Sequence, residues 1–196
     1  MLRLIAVLTV VATFGISAYY RYRARLTAGT IPRANEPMGL ITGRALVSIP
    51  LFGSVLAYLI QPRWMAWAEL PLPAWARWLG AGLGILAVPF ALWVFRSIGS
   101  NVSETVLTKP GQTLVTIGPY HWIRHPLYAA SGLLLLGVGL MAANWLILLL
   151  ATFALVLIRI VVIPREEAAL LELFGSQYRD YITTTGSLVP RWRRPP

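Results

Sequence analysis

The sequence predicts an all-α, polytopic integral membrane protein of about five transmembrane helices, and three observations carry that reading. Apolar residues make up 57% of the 196 residues and charged residues only 12%, more apolar surface than a soluble core of this size can hide. Five stretches, about 4–20, 44–60, 74–95, 127–143 and 145–163, are apolar over roughly the length that a bilayer core requires. Lipid offers no partner to an unpaired backbone amide, so each is expected to be helical. The third observation is the one-sided placement of the basic residues between them.

The first stretch has only Arg3 before it and Arg21, Arg23 and Arg25 directly after it. That is the reverse of an export signal, so it reads as a retained anchor. Thr27 to Gly43, with Pro32, Pro37 and three glycines, reads as a loop; Gln61 to Pro73, with Trp64, Trp67 and three prolines, reads as a loop whose indoles sit at the interface. Gly80, Gly82 and Gly84 resemble a phosphate-loop fragment only superficially. They lie inside an apolar span with no strand before them, so close helix packing is expected, as for Gly132, Gly137 and Gly139. Ala142-Ala143-Asn144 is the only turn available between the last two spans, which must form a tight antiparallel hairpin.

After Pro164 the composition shifts. Arg165, Glu166, Glu167 and Glu172 alternate with Leu170, Leu171, Leu173 and Phe174, an amphipathic helix of about three turns that Gly175 ends. Tyr178 and Tyr181 follow, then a Val189 to Arg194 cluster that reads as a headgroup anchor.

The basic residues orient the chain. Arg21, Arg23, Arg25, Arg33 and Arg44 lie between the first two spans, Arg96, Lys109 and Arg124 between the third and fourth, and Arg165, Arg179, Arg191, Arg193 and Arg194 after the fifth; Arg3, Arg63 and Arg77 fall on the other side. The expectation is an N-terminus outside, with the loop 97–126 and the tail 164–196 cytoplasmic, in a single membrane domain over 1–196. The net charge of +10 is spread over these loops and is not the footprint of a nucleic-acid binder. Cysteine is absent, which removes thiolate catalysis and thiolate metal sites. His121 and His125 have the i, i+4 spacing of a metal pair, but Pro119 and Pro126 argue against one regular helix there, and no metal is expected.

The richest stretch is Gly118-Pro119-Tyr120-His121-Trp122-Ile123-Arg124-His125-Pro126-Leu127-Tyr128. A helix is expected to begin at Pro126, where a missing N–H costs nothing, with His125 at its N-cap. The fourth span starts on the face where the fifth ends, so hairpin topology predicts a pocket with Tyr120, His125 and Tyr128 on one side and Arg159, Arg165, Glu166 and Glu167 on the other.

The run Thr113 to Tyr120, continuing into Arg124-His125-Pro126-Leu127-Tyr128, resembles the signature of the isoprenylcysteine carboxyl methyltransferase family and its phospholipid methyltransferase relatives. Glu166-Glu167, Leu170, Phe174-Gly175, Tyr178, Tyr181 and Val189-Pro190 fall in that family's order. The resemblance covers about Ser97 to Trp192 and leaves the first two spans unmatched. It implies a membrane methyltransferase that uses S-adenosylmethionine without a Rossmann domain. By that similarity Gln112, Thr113, Leu114, Val115, Tyr120 and the segment His125, Pro126, Leu127, Tyr128 line the cofactor pocket, with Glu166 or Glu167 completing it. The catalytic group implied is Glu167 with an arginine, either Arg159 or Arg165, on the substrate side.

Methyl transfer from a sulfonium to a carboxylate removes opposite charges, which a low-dielectric pocket favours, so alignment matters more than acid or base. The expected acceptor is a lipophilic small molecule or lipid-linked carboxylate that enters from the membrane lipids. An amine lipid is the alternative, and it would need a base such as His125, Glu166 or Glu167. A sterol-type reductase using NADPH and a non-catalytic membrane scaffold are the other two readings.

Overall fold

A computed structural model describes residues 1–28, 38–101 and 113–191. The architecture is helical: α1 (Leu2–Ala28), α2 (Met38–Ile60), α3 (Ala74–Ile98), α4 (Pro126–Ala142), α5 (Trp145–Leu157), α6 (Ile163–Phe174) and α7 (Ser176–Thr184). Among the described residues there is no strand, only two isolated bridges, Glu69 with Asn144 and Ile123 with Gly186. Four helical runs are long and apolar enough to cross a bilayer, and α4, the fifth apolar helix, is shorter.

Three boundaries depart from the sequence reading. Both α1 and α2 continue as helix past the apolar stretches, α1 through Arg21, Arg23 and Arg25 and α2 backward to Met38. Arginine is a good helix former, so polarity ended the spans without ending the helices. The other departure is at Pro164, where a boundary was expected. Helix runs on instead from Trp145 to Phe174 through a π turn at Ile158–Val162, with the Ile163 amide bonded to the Ile158 carbonyl. Proline has no N–H and its ring collides with the carbonyl four residues back, and one widened turn accommodates both.

The core is the α3 to α4 seam. A Cβ on Gly80 would stand 2.6 Å from Leu140 Cβ and 2.7 Å from the Gly137 carbonyl oxygen, and one on Gly137 would stand 2.8 Å from the Gly80 oxygen. Only glycine lets the two backbones approach so closely. Gly84 lies against Met141, Gly132 against Leu155 and Gly139 against Leu148, whereas Gly82 faces open space. Around this seam Val55, Leu134, Val138, Met141, Ile147 and Ala151 close into one apolar cluster.

The α4 to α5 hairpin turns on Ala143, in the left-handed region at φ 48°, and on Asn144, whose side chain accepts from the Ile147 amide at 3.1 Å and donates to the Met65 carbonyl at 3.0 Å. At this same end Arg3 donates to the Leu59 and Ile60 carbonyls, and Arg77 to that of Met141. Cations thus satisfy the last carbonyls of α2 and α4. At the opposite end Ala24 of α1, Phe95 of α3 and Leu127 of α4 pack together, which gathers the ends of three helices around the polar run from Gly118 to Tyr128.

Candidate active site

Gly118, at φ 61°, opens a 3-10 turn over Gly118–His121, and α4 begins at Pro126 with His125 as its N-cap residue. The prolines explain both: each occupies an N-terminal helical position where its lost donor is not needed. Between the two turns the chain is extended enough to bond a second segment. The Arg124 amide donates to the Gly186 carbonyl at 2.9 Å, the His125 amide to that of Ser187 at 3.1 Å, and the Gly186 amide to that of Trp122 at 3.1 Å. The tail is therefore strapped along the loop just before α4.

Side chains lock the same junction. Tyr181 of α7 donates to the Tyr120 carbonyl at 2.5 Å. Arg124 donates through one terminal nitrogen to the Thr185 and Ile182 carbonyls, and its Nε lies 2.8 Å from Glu167 Oε1. His125 is 7% exposed; its Nε2 is 3.1 Å from Glu167 Oε1 and its Nδ1 3.4 Å from Glu166 Oε2. The Tyr128 hydroxyl donates to Glu166 Oε1 at 2.5 Å, and its ring stacks on that of His125 at 6.0 Å.

A neutral imidazole has one donor, whereas both ring nitrogens here face carboxylates, an arrangement that suits imidazolium. Burial opposes that charge, but the hydrogen bonds and charges of Glu166 and Glu167 outweigh it and raise the His125 pKa above its ordinary value. Two carboxylates are then balanced by Arg124 and His125. Burial also pushes the Tyr120, Tyr178 and Tyr181 hydroxyls upward, so all three stay protonated.

The structure brings Tyr120, His125, Pro126, Tyr128, Glu166 and Glu167 to this junction, with Leu127 beside it in the contact with Ala24 and Phe95. Thr113 stands apart, tied to Asn101 at the end of α3 by two hydrogen bonds of 3.0 Å. Leu114 and Val115 follow it, half-buried, and Gln112 lies outside the described residues. Arg159 and Arg165 are exposed, and among the described residues neither forms an ion pair with Glu166 or Glu167.

The cations that meet the acids are Arg124, on Glu167, and His125, on both; Arg124 stands in the family-like run, but residue spacing assigns it no partner. The strap Thr185-Gly186-Ser187 was also missed. Its residues carry no motif, and only the pairing with Trp122 to His125 reveals them.

Buried helical seams and a cluster of histidine, arginine, tyrosine and two acids at one end define a polytopic membrane protein with a largely buried polar cluster. The family model described as phospholipid methyltransferase matches residues 75–177, just over half of the chain, a region that holds the cluster from Arg124 to Tyr128 and Glu166-Glu167. The chain belongs to this family, which also includes isoprenylcysteine carboxyl methyltransferases.

An uncharacterized protein of Bacillus subtilis, YpbQ, is 31% identical over 68% of this chain and 73% of its own length. The cobalt-zinc-cadmium resistance protein CzcN of Cupriavidus metallidurans is 31% identical over 60% of this chain and 52% of its own. Protein-S-isoprenylcysteine O-methyltransferase of Tribolium castaneum is 30% identical over 59% of this chain and 42% of its own. The solved structure of the eukaryotic intramembrane Ras methyltransferase, isoprenylcysteine carboxyl methyltransferase, superposes with a TM-score of 0.55 at 26% identity, over 79% of this chain and 53% of that one. The chain thus spans about half or less of its methyltransferase relatives.

Proposed function

We propose that this protein is an S-adenosylmethionine-dependent membrane methyltransferase that esterifies the carboxylate of a lipophilic acceptor. The observation that carries this reading is the interlock of Arg124, His125 and Tyr128 with Glu166 and Glu167, held in a chain of the phospholipid methyltransferase family and structurally similar to isoprenylcysteine carboxyl methyltransferase.

The donor set suits such a cofactor. Arg124 and His125 both engage Oε1 of Glu167, so its Oε2, on a side chain 23% exposed, can accept from a hydroxyl or an ammonium. Tyr178 Oη and Ser187 Oγ are buried with no hydrogen-bond partner among the described residues, two further polar groups on the α7 and tail side of the site. Buried polar atoms left alone are costly, and a polar ligand would satisfy them.

When bound, S-adenosylmethionine supplies a methyl group whose bond to sulfur breaks as a carboxylate oxygen of the acceptor bonds to it, leaving a methyl ester and S-adenosylhomocysteine. The residues of the chain then do positioning work. Arg124 and His125 fix Glu167, Tyr128 fixes Glu166, and the tail strap keeps the loop from opening. Preorganised dipoles and exclusion of water are what a reaction that cancels charge requires. A carboxylate acceptor needs no base, and the acids and His125 are already engaged with one another.

The family model's description favours a second reading, methylation of a phospholipid amine. It differs in requiring a free base, so its rate would climb with pH. On either reading the arginine-rich end is the cytoplasmic one by the positive-inside rule, which puts the site within reach of cytoplasmic cofactor. Calorimetric titration of the detergent-purified protein with S-adenosylhomocysteine tests the assignment. Stoichiometric binding is expected, and no heat under conditions where the protein stays monodisperse would refute it.

A further inference from the structure

We propose that Tyr178 of α7 and Ser187 of the tail strap, together with Nη2 of Arg124, receive the carboxylate at the amino-acid end of the cofactor. This inference rests on the methyltransferase reading. It assigns one end of the cofactor to two residues beyond the family match, which ends at residue 177.

Contacts fix both residues at the junction. The Tyr178 ring lies 5.9 Å from that of Tyr181, whose hydroxyl holds the Tyr120 carbonyl at 2.5 Å. One turn beyond Tyr178 the Ile182 carbonyl accepts from Arg124 Nη1 at 3.3 Å. The face of α7 that carries Tyr178, Tyr181 and Ile182 is therefore the one turned to the loop before α4. Ser187 is held by its backbone, since its carbonyl accepts from the His125 amide at 3.1 Å. Among the described residues neither hydroxyl has a hydrogen-bond partner, although both oxygens are buried and Tyr178 is only 1% exposed. A hydroxyl kept there loses its hydration and gains nothing in return until a ligand meets it.

The donors that hold the acids are committed. Both nitrogens of His125 face carboxylates, and Tyr128 donates to Glu166. Arg124 spends Nε on Glu167 and Nη1 on the Ile182 and Thr185 carbonyls, so among the described residues its Nη2 makes no hydrogen bond. Three donors at the junction are thus spare, Arg124 Nη2, Tyr178 Oη and Ser187 Oγ, and Glu167 Oε2 is a spare acceptor. A zwitterionic amino acid matches that set. Its ammonium needs an acceptor, and its carboxylate takes donors alone. Burial, and the charge of Glu167 after it, raise the Tyr178 pKa, so this hydroxyl keeps the proton it donates.

The test is calorimetry on the full chain in detergent with two probes, S-adenosylhomocysteine and its decarboxylated analogue, which keeps the amine and lacks the carboxylate. Wild type should bind S-adenosylhomocysteine about ten-fold or more tightly than the analogue, and Y178F/S187A should lose most of that preference while binding the analogue as wild type does. A second readout separates ligand binding from a structural role. Each substitution removes a hydroxyl that bonds to nothing, so the ligand-free melting temperature of Y178F/S187A should stay level or rise. Equal binding of the two probes by wild type, an undiminished preference in the variant, or a lowered ligand-free melting temperature would overturn the inference and leave the methyltransferase reading standing. Failure of wild type to bind S-adenosylhomocysteine at all would remove that reading and this inference with it.

Discussion

His125 Nε2 stands 3.1 Å from Glu167 Oε1 across 42 residues of sequence, and the same oxygen lies 2.8 Å from Arg124 Nε. One carboxylate oxygen thus ties the N-terminus of α4 to α6. The two helices hold each other in place there, and the cofactor site is proposed to be built on that tie.

Removing either partner should weaken S-adenosylhomocysteine more than it weakens the fold. His125→Ala and Glu167→Ala are each expected to cost about 1 to 3 kcal/mol of binding, the usual loss for a buried or charged hydrogen bond. Titration calorimetry of variants that still elute as the wild type measures this. Unchanged affinity in both would sink the site assignment.

Stability should fall as pH rises. The His125 pKa is raised from 6.5 in the folded protein, so its contribution is fully present below the unfolded value and disappears as pH climbs through the raised one. The melting temperature in detergent should therefore be lower at about pH 8.5 than at about pH 6, and His125→Gln should flatten that dependence. An equally steep slope in the variant would assign the titration to another group.

The glycine seam makes a sharper demand. Gly80→Ala places a Cβ within 2.6 to 2.9 Å of Leu140, Gly137 and Met141 atoms, two of them backbone, and should destabilise by about 1 to 3 kcal/mol through overpacking. Gly82→Ala meets nothing within 4 Å and should be neutral or gain about 1 kcal/mol from helix propensity. Thermal melts of the pair read the difference. Equal losses would show that the α3 to α4 approach is looser than described.

Topology can be read chemically because the chain has no cysteine. A single Ser176→Cys, at an exposed position where α7 begins, should react with an impermeant maleimide only after the inner face is opened, and the exposed Glu69→Cys should react from outside. Labelling of Ser176→Cys in intact cells would invert the orientation and part the site from cytoplasmic cofactor.

The sequence by itself determined the five apolar helices, the hairpin at Ala143-Asn144, the start of α4 at Pro126 and the end of α6 at Gly175, because apolar length, proline and glycine act locally; it did not show α7 or how far α1 and α2 extend. It also pointed to His125, Tyr128, Glu166 and Glu167 through a shared motif. Tertiary structure alone decided that Arg124 meets Glu167 and His125 meets both acids, and that Thr185 to Ser187 straps the loop. Which cation meets a carboxylate depends on helix phase. The π turn at Ile158–Val162, which contains Arg159, changes its phase relative to Glu166 by an amount that residue spacing does not reveal.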